Sequence, residues 1–514
     1  MAPKTLLVHI PAGPAPNIGN IFLMPVGILA LADLLSRNGY PARVLHLGVE
    51  RLSRPDFDLE SYLEQEKIDV LCADLHWHYQ SRAVMNTIKE IKGKAGDIIT
   101  VLGGFTASFF AEEIMGQHPE VDFVIKGDGE VPLLDLLGQI SSGGEDLSDI
   151  PNLVWRKDGK VISNSHTYKV SQEVIDSLTY SNFDLLEHAK IYTRLVNPLQ
   201  NYLEQPCQQL NCYSCEEECS GIFYYNCGRG CPTRCSFCGG SIDAQRIINN
   251  RTEPIFISHR RVISELKALG RYNISGWYTC FDPYPQGDYY PELFRRIRQE
   301  GIRLNCWFEC WGLPTRKFID DFAATFGPES EAILSVESGS ERVRAKNKGF
   351  QFTNDELLEA LAYQHSKGLR KHIYFAVGLP FEGEEELKET FDLINRLKIT
   401  YGEDIDIEVS MISYEPGSPI FLDNEKYGVT PKGNSFEDFC DCGTLEKIIG
   451  YRTELFSEEE IIEKTRLIRS AVICPRVEEM EMDFRRFADF DYCPVCPYLD
   501  ECSMGQEKEY FPFM

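Results

Sequence analysis

Gly228-Arg229-Gly230-Cys231-Pro232-Thr233-Arg234-Cys235-Ser236-Phe237-Cys238-Gly239-Gly240 is the stretch that decides how this chain is read. Three thiols, Cys231, Cys235 and Cys238, fall within eight residues. As thiolates they can bind three irons of a cubane [4Fe–4S] cluster, which leaves the fourth iron without a protein ligand. An open iron can chelate the amino and carboxylate groups of a methionine moiety, which a closed four-cysteine site cannot do. Gly228, Gly230, Gly239 and Gly240 let the backbone wrap tightly around such a group. The competing reading is a zinc knuckle with Cys227 as fourth ligand, because zinc favours four nitrogen or sulfur donors.

Outward from this stretch, a candidate strand at 222–226 precedes it directly. Further candidate strands lie at 276–282, 303–311, 331–337, 371–378 and 405–414, separated by helical patterns. Six such units predict a partial (β/α)6 barrel whose ligands gather at the carboxyl ends of the strands. Upstream, apolar runs at 6–10, 43–47, 69–73, 98–102 and 121–125 alternate with amphipathic stretches, which predicts a Rossmann-like doubly wound parallel sheet. The expected fold is therefore α/β. Residues 1–142 form the doubly wound domain and 143–220 a Cys-containing connector. Residues 221–430 form the barrel and 431–514 a small Cys-rich C-terminal region.

The composition narrows the function further. Of 514 residues, 43% are hydrophobic and 25% charged, the balance of a folded globular protein. A formal charge of −27 disfavours a nucleic-acid partner, since phosphate binding is driven by Lys and Arg. No apolar run is long enough to span a bilayer, so no membrane partner is expected. The β-like start Leu6-Leu7-Val8-His9-Ile10 does not read as a signal peptide, and the expected location is the cytoplasm. Eighteen cysteines in a reducing compartment point to metal binding or catalysis before disulfides. Two groups lie outside the main stretch: Cys207, Cys212, Cys215 and Cys219, and Cys493, Cys496 and Cys502 with Cys440, Cys442 and Cys474 upstream. Each is a candidate auxiliary metal centre, of zinc or iron–sulfur type, against the alternative of reduced thiols; the C-terminal group is the favoured one. Cys280, Cys306 and Cys310 in the barrel strands read as small packing residues.

The CxxxCxxC spacing with Phe237 before the last cysteine resembles the signature of the radical S-adenosylmethionine (SAM) superfamily. The resemblance implies a [4Fe–4S] cluster on Cys231, Cys235 and Cys238, with SAM bound at its open iron. It places Phe237 near the adenine and Glu337 and Ser338, in Ser335-Val336-Glu337-Ser338-Gly339-Ser340, by the ribose and methionine. Gly378, in Phe375-Ala376-Val377-Gly378-Leu379-Pro380, falls beside the adenine. Many members carry Gly-Gly-Glu after the second strand to bind the methionine amino group. This chain has Cys280-Phe281-Asp282-Pro283-Tyr284-Pro285 there, with Asp282 as the substitute.

The glycines at the upstream strand ends, Gly103, Gly104, Gly127 and Gly129, together with Pro25-Val26-Gly27-Ile28-Leu29-Ala30, resemble the cobalamin-binding domain of cobalamin-dependent radical SAM enzymes. The Asp-x-His-x-x-Gly motif that places a histidine under cobalt is absent. His76 and His78 are the nearest candidates, and the expectation is cobalamin held with no protein histidine on cobalt. The implied activity is methyl transfer to an unactivated carbon through a 5′-deoxyadenosyl radical and methylcobalamin. Two alternatives stand beside it: a non-methylating cyclase or rearrangement enzyme, and an enzyme whose N-terminal domain no longer binds cobalamin. A small-molecule or peptide substrate and a one-electron donor such as flavodoxin or ferredoxin are the implied partners. Trp307, Glu309 and Trp311 are candidates for shaping the substrate pocket.

Overall fold

The first seven strands form one sheet, ordered β2-β1-β3-β4-β5-β6-β7: β1 (Thr5–His9), β2 (Ala42–His46), β3 (Val70–Asp74), β4 (Ile99–Gly103), β5 (Phe123–Ile125), β6 (Leu153–Lys157) and β7 (Lys160–Ser163). The computed structural model describes residues 2–12, 26–94, 97–189, 221–441 and 450–473. The Cys207–Cys219 group, Cys442, Cys474 and the Cys493–Cys502 group therefore lie outside the described residues.

β1 to β5 run parallel and are buried along most of their length, as strands covered on both faces must be. Because β1 lies between β2 and β3, the chain turns in opposite directions from it. The crevice at the carboxyl ends of β1 and β3 is the place where such sheets bind ligands. β6 and β7 are antiparallel and fall within 143–220, the stretch read as a connector. Their turn is Asp158-Gly159, with φ of +51° and +72°, the geometry a two-residue hairpin requires.

The second sheet begins with β8 (Gly221–Tyr224). A short pair follows, β9 (Gly228–Arg229) and β10 (Ile255–Phe256). The sheet then continues with β11 (Ile274–Thr279), β12 (Asn305–Cys310), β13 (Glu331–Glu337), β14 (Arg370–Val377) and β15 (Ile405–Met411). Its order is β15-β14-β13-β12-β11-β8, all parallel, and β15 does not pair with β8. The barrel is thus partial, as its six-unit pattern predicts. The strand period of two sorts the side chains of β12. Cys306, Phe308 and Cys310 join the core under the helices, whereas Trp307 joins Ile222, Tyr278 and Ile333 in a separate cluster inside the barrel. The antiparallel pair β16 (Val429–Pro431) and β17 (Tyr451–Thr453) and a helix over Glu458–Ile473 close the described structure. That helix lies against β15 and β14, where Arg469 Nε donates to the Val409 carbonyl at 2.6 Å. No helix of the described residues is long and apolar enough to cross a membrane.

The two sheets meet through the loop that follows β5. Gly127, at φ +67°, passes so close to the barrel helix Ile242–Asn249 that a Cβ there would lie 2.7 Å from the Ile248 carbonyl oxygen. Beside it Asp128 bonds Arg229 (2.9 Å) and Arg251, and Glu130 bonds Arg229 (2.6 Å). Asp128 and Arg251 are buried, 5% and 7% exposed in their side chains.

Candidate active site

A cavity of about 710 Å³ opens between the carboxyl ends of both sheets. One wall carries Cys231, Cys235, Cys238 and Phe237; the other carries Gly103, Gly104, Gly127 and Gly129. The thiol loop is held from outside. Ser236 donates its amide to the Asn347 carbonyl (2.8 Å), its own carbonyl accepts from Ile420 N (2.9 Å), and Gly239 N donates to Glu415 Oε2. Backbone amides then point at the sulfurs: Gly349 N at Cys235 Sγ (3.1 Å) and Gly240 N at Cys238 Sγ (3.3 Å), with Thr233 Oγ1 3.0 Å from Cys231 Sγ. Burial pushes the Cys231 and Cys238 thiols above their ordinary value, and for Cys238 the Glu415 carboxyl adds to the rise. A metal cation reverses this balance, since a coordinating thiol is deprotonated outright. Cys227, the fourth ligand of the zinc reading, is fully buried against the hydroxyls of Tyr289 and Tyr290 and does not line the cavity.

Deeper on the barrel side, Glu337 and Lys348 pair at 3.1 Å. Glu337 has φ +68° at a register shift in β13, left-handed backbone that costs a non-glycine residue about 1–3 kcal/mol and collects at ligand sites. Glu309 accepts a hydrogen bond from Tyr278, and Cys280 lies 2.6 Å from the Tyr224 hydroxyl. Glu309, Cys280, Tyr224 and Trp311 all line the cavity. Burial, with smaller contributions from Glu408 and Glu337, pushes the Glu309 carboxyl up to about 8.

On the opposite wall His9 Nδ1 meets Asp74 Oδ2 at 2.8 Å at the ends of β1 and β3, the crevice where the chain reverses. Asp74 Oδ1, Glu130 Oε2 and Arg251 Nη1 are buried without a hydrogen-bond partner among the described residues. Buried polar groups are rarely left so without a ligand or water to meet.

Residues 22–137 match the family described as B12 binding domain, and residues 225–394 match the Radical SAM superfamily. The chain belongs to the cobalamin-dependent radical SAM enzymes. It is 24% identical over 387 residues to an uncharacterized methyltransferase of Pyrococcus horikoshii, covering 74% of each chain. It is 26% identical over 293 residues to the hopanoid C-3 methylase of Methylococcus capsulatus, covering 56% of this chain and 48% of that one. An anaerobic magnesium-protoporphyrin IX monomethyl ester cyclase of Rubrivivax gelatinosus is 23% identical over 385 residues, covering 72% and 61%. Among solved structures, the radical SAM methyltransferase TsrM of Kitasatospora setae, with cobalamin and a [4Fe-4S] cluster bound, superposes at TM-score 0.64 with 16% identity over 93% of this chain and 90% of that one. The cobalamin-dependent enzyme OxsB with aqua-cobalamin bound gives 0.63 with 15% identity over 93% and 70%. At these identities the likeness is one of fold.

Both cofactors of the family fit the residues present. Three half-buried thiols with amides aimed at two of them suit a cluster. Unpartnered donors and acceptors on a wall of strand ends suit the amide-rich rim of a corrinoid.

Of the residues singled out by sequence, Phe237, Glu337, the three thiols and the four glycines line the cavity, whereas Asp282, Ser338 and Gly378 do not. Asp282 is buried and accepts from Trp311 N at 3.3 Å, and burial raises its carboxyl to about 7. Ser338 is turned to Thr390 on the helix Glu384–Tyr401, 3.3 Å away. Gly378 lies under Tyr451 and Ile461, where a Cβ would meet Ile461 at 2.8 Å. All three lie just beyond the ends of their strands, Thr279, Glu337 and Val377. Sequence reading missed Lys348 and the pair Arg229 and Arg251. The one available signal was Lys126-Gly127-Asp128-Gly129-Glu130, read for its glycines when its carboxylates also do work. His76 lines the cavity; His78 does not, its ring lying 5.3 Å from that of Phe439. Burial lowers both imidazoles to about 4, so both are neutral at pH near 7.

Proposed function

We propose that this chain is a cobalamin-dependent radical SAM methyltransferase acting on an unactivated carbon of a small-molecule or peptide substrate. The observation that supports this most is the single cavity lined on one side by the thiol loop and on the other by the strand ends of the B12-binding sheet. A [4Fe–4S] cluster supplies the electron that cleaves SAM, and cobalamin supplies a transferable methyl group.

In this reading Cys231, Cys235 and Cys238 hold three irons, and the amides of Gly240 and Gly349 stabilise the sulfurs that face them. Phe237 offers its ring to the adenine, and Glu337, fixed by Lys348, offers a carboxylate to the polar end of SAM. Gly103, Gly104, Gly127 and Gly129 carry the backbone that faces cobalamin. Glu309, Tyr224 and Trp311 form the substrate wall, and the Asp128–Arg229–Arg251 cluster keeps the two walls in register. The protein works in the cytoplasm and takes its electrons from a flavodoxin or ferredoxin, and Cys493, Cys496 and Cys502 are a candidate auxiliary centre. The proposed domain division is 1–142, 143–220, 221–430 and 431–514, with β6 and β7 of the second segment extending the first sheet.

A non-methylating cyclisation is the second reading, favoured by the cyclase among the relatives and by the Cys280 thiol and Tyr224 hydroxyl on the substrate wall. The test is anaerobic reconstitution with iron, sulfide and hydroxocobalamin, then gel filtration and turnover with methyl-labelled SAM. The proposal expects corrinoid to co-elute, 5′-deoxyadenosine to form and label to reach cobalamin. Cleavage without corrinoid retention or label transfer would overturn it.

A further inference from the structure

We propose that His76 is the protein's axial ligand to the cobalt of bound cobalamin. The inference rests on the cobalamin-binding reading above and departs from the expectation that no protein histidine reaches cobalt. A neutral imidazole is the commonest metal ligand among side chains, and an axial ligand is one of the main levers a protein has on such a cofactor.

Four observations support it. His76 follows β3 at the reversal crevice, and its side chain lines the cavity. Its ring is set between those of Trp77 (4.5 Å) and Phe105 (5.0 Å) and makes no hydrogen bond to any described residue, so a ring nitrogen is available.

Its backbone is fixed to the neighbouring strand end. Leu75 N donates to the Gly103 carbonyl (2.8 Å), Ala107 N to the Leu75 carbonyl (3.1 Å), and Thr106 Oγ1 to the His76 carbonyl (2.9 Å). Gly104, at φ +105°, is a glycine for the same reason. A Cβ there would lie 2.8 Å from the Leu75 carbonyl and 2.9 Å from His76 N. The Gly103-Gly104 turn therefore serves to place His76, and not only to let a ligand approach.

Lastly, Asp74, two residues before, presents a buried Oδ1 with no partner, while its Oδ2 is taken by His9. Carboxylates beside metal-bound histidines orient the ring and raise its basicity. His9 is less suited to the role: its Nδ1 is committed to Asp74, and its ring lies against that of His46 at 4.5 Å.

The experiment uses the full chain, made with histidine carrying the spin-half isotope of nitrogen, reconstituted with unlabelled hydroxocobalamin and reduced to the cobalt(II) state. Its paramagnetic resonance spectrum is recorded for the wild type, His76→Ala, His76→Gln and His78→Ala. A doublet superhyperfine splitting is expected in the wild type and His78→Ala, and its loss in both His76 variants with corrinoid still bound. A triplet, which reports the cofactor's own base, overturns the proposal, as does an unsplit spectrum or a doublet that survives in His76→Gln. Corrinoid that elutes free of the wild-type protein overturns the cobalamin reading itself and this inference with it. Binding with the wrong splitting overturns this inference alone.

Discussion

The two walls of the cavity reach the same surface by opposite routes. The barrel wall takes its three thiols from one loop of eight residues, each already beside its neighbours in the chain. The facing wall is assembled from the ends of β1, β3, β4 and β5, so His9, Asp74, Gly104 and Gly127 meet only when the sheet has formed. A local loop keeps its ligand set as long as its own anchors hold. A dispersed wall depends on the strand register and on the ion pairs that press the two halves together. Damage to the loop should therefore remove chemistry and spare the fold, whereas damage at the junction should weaken the fold and loosen the corrinoid first.

The largest expected effect tests the loop. Changing Cys231, Cys235 and Cys238 together to Ala should reduce SAM cleavage to the level of iron-free protein and leave thermal unfolding nearly unchanged, because none of the three is a fully buried packing residue. Iron content, 5′-deoxyadenosine yield and circular dichroism are the readouts. Retained cleavage would mean that other thiols can present an open iron, and the contrast between the walls would be lost.

The second prediction tests the junction. Asp128→Asn leaves Arg251 buried beside Arg229 with its carboxylate partner gone, and breaking a buried pair in this way costs about 3–5 kcal/mol. Corrinoid retention should fall while iron content holds. Burial opposes ionisation of Asp128, but Arg229 and Arg251 prevail and hold its carboxyl below the ordinary range. A depressed carboxyl gives stability that is present above its unfolded value, about 3.9, and is lost as pH falls through the folded one. The wild type should therefore lose corrinoid more steeply than Asp128→Asn does as pH falls below about 4. Equal acid profiles for the two proteins would count against the ion-pair account.

The same contrast explains what the sequence made legible. The thiol loop, both strand–helix series and the order of domains follow from spacing and hydrophobic period, which are local properties. Asp282, Ser338 and Gly378 were assigned to SAM from strand ends aligned by motif. One residue of register decides whether a strand-end side chain faces the axis or the helices, and motif alignment does not fix that residue. Gly127 and Gly104 were read as space for a ligand. The structure gives them another task, the close passage of one backbone against Ile248 and against Leu75. Such contacts join residues far apart in the chain, so a single sequence carries no period or spacing that would reveal them. The Asp158-Gly159 hairpin is different, because its signal was present and local, and the weak periodicity around it hid it.

The smallest expected effect concerns the inner surface of the barrel wall, where charge and not connectivity sets the behaviour. Glu309 is half-buried beside Glu337 and Glu408, and the cation that acts on it, Lys348, is already paired with Glu337. Its carboxyl, raised to about 8, is neutral at pH near 7 and donates or accepts hydrogen bonds as an amide would. Glu309→Gln should therefore change stability little below about pH 4, where the carboxyl is neutral in the folded and the unfolded chain and nearly isosteric with the amide. The sign reverses the Asp128 case. A carboxyl raised in the folded state is ionised first in the unfolded chain, so the wild type loses stability as pH rises from about 4.3 toward its folded value. The glutamine variant does not titrate and escapes that loss. Urea unfolding at about pH 6 and about pH 9 should show Glu309→Gln gaining on the wild type at the higher pH, by on the order of 1 kcal/mol or more. A difference that does not change with pH would mean the carboxyl is ionised throughout. The inner wall would then present a fixed negative charge to the substrate in place of a neutral acid.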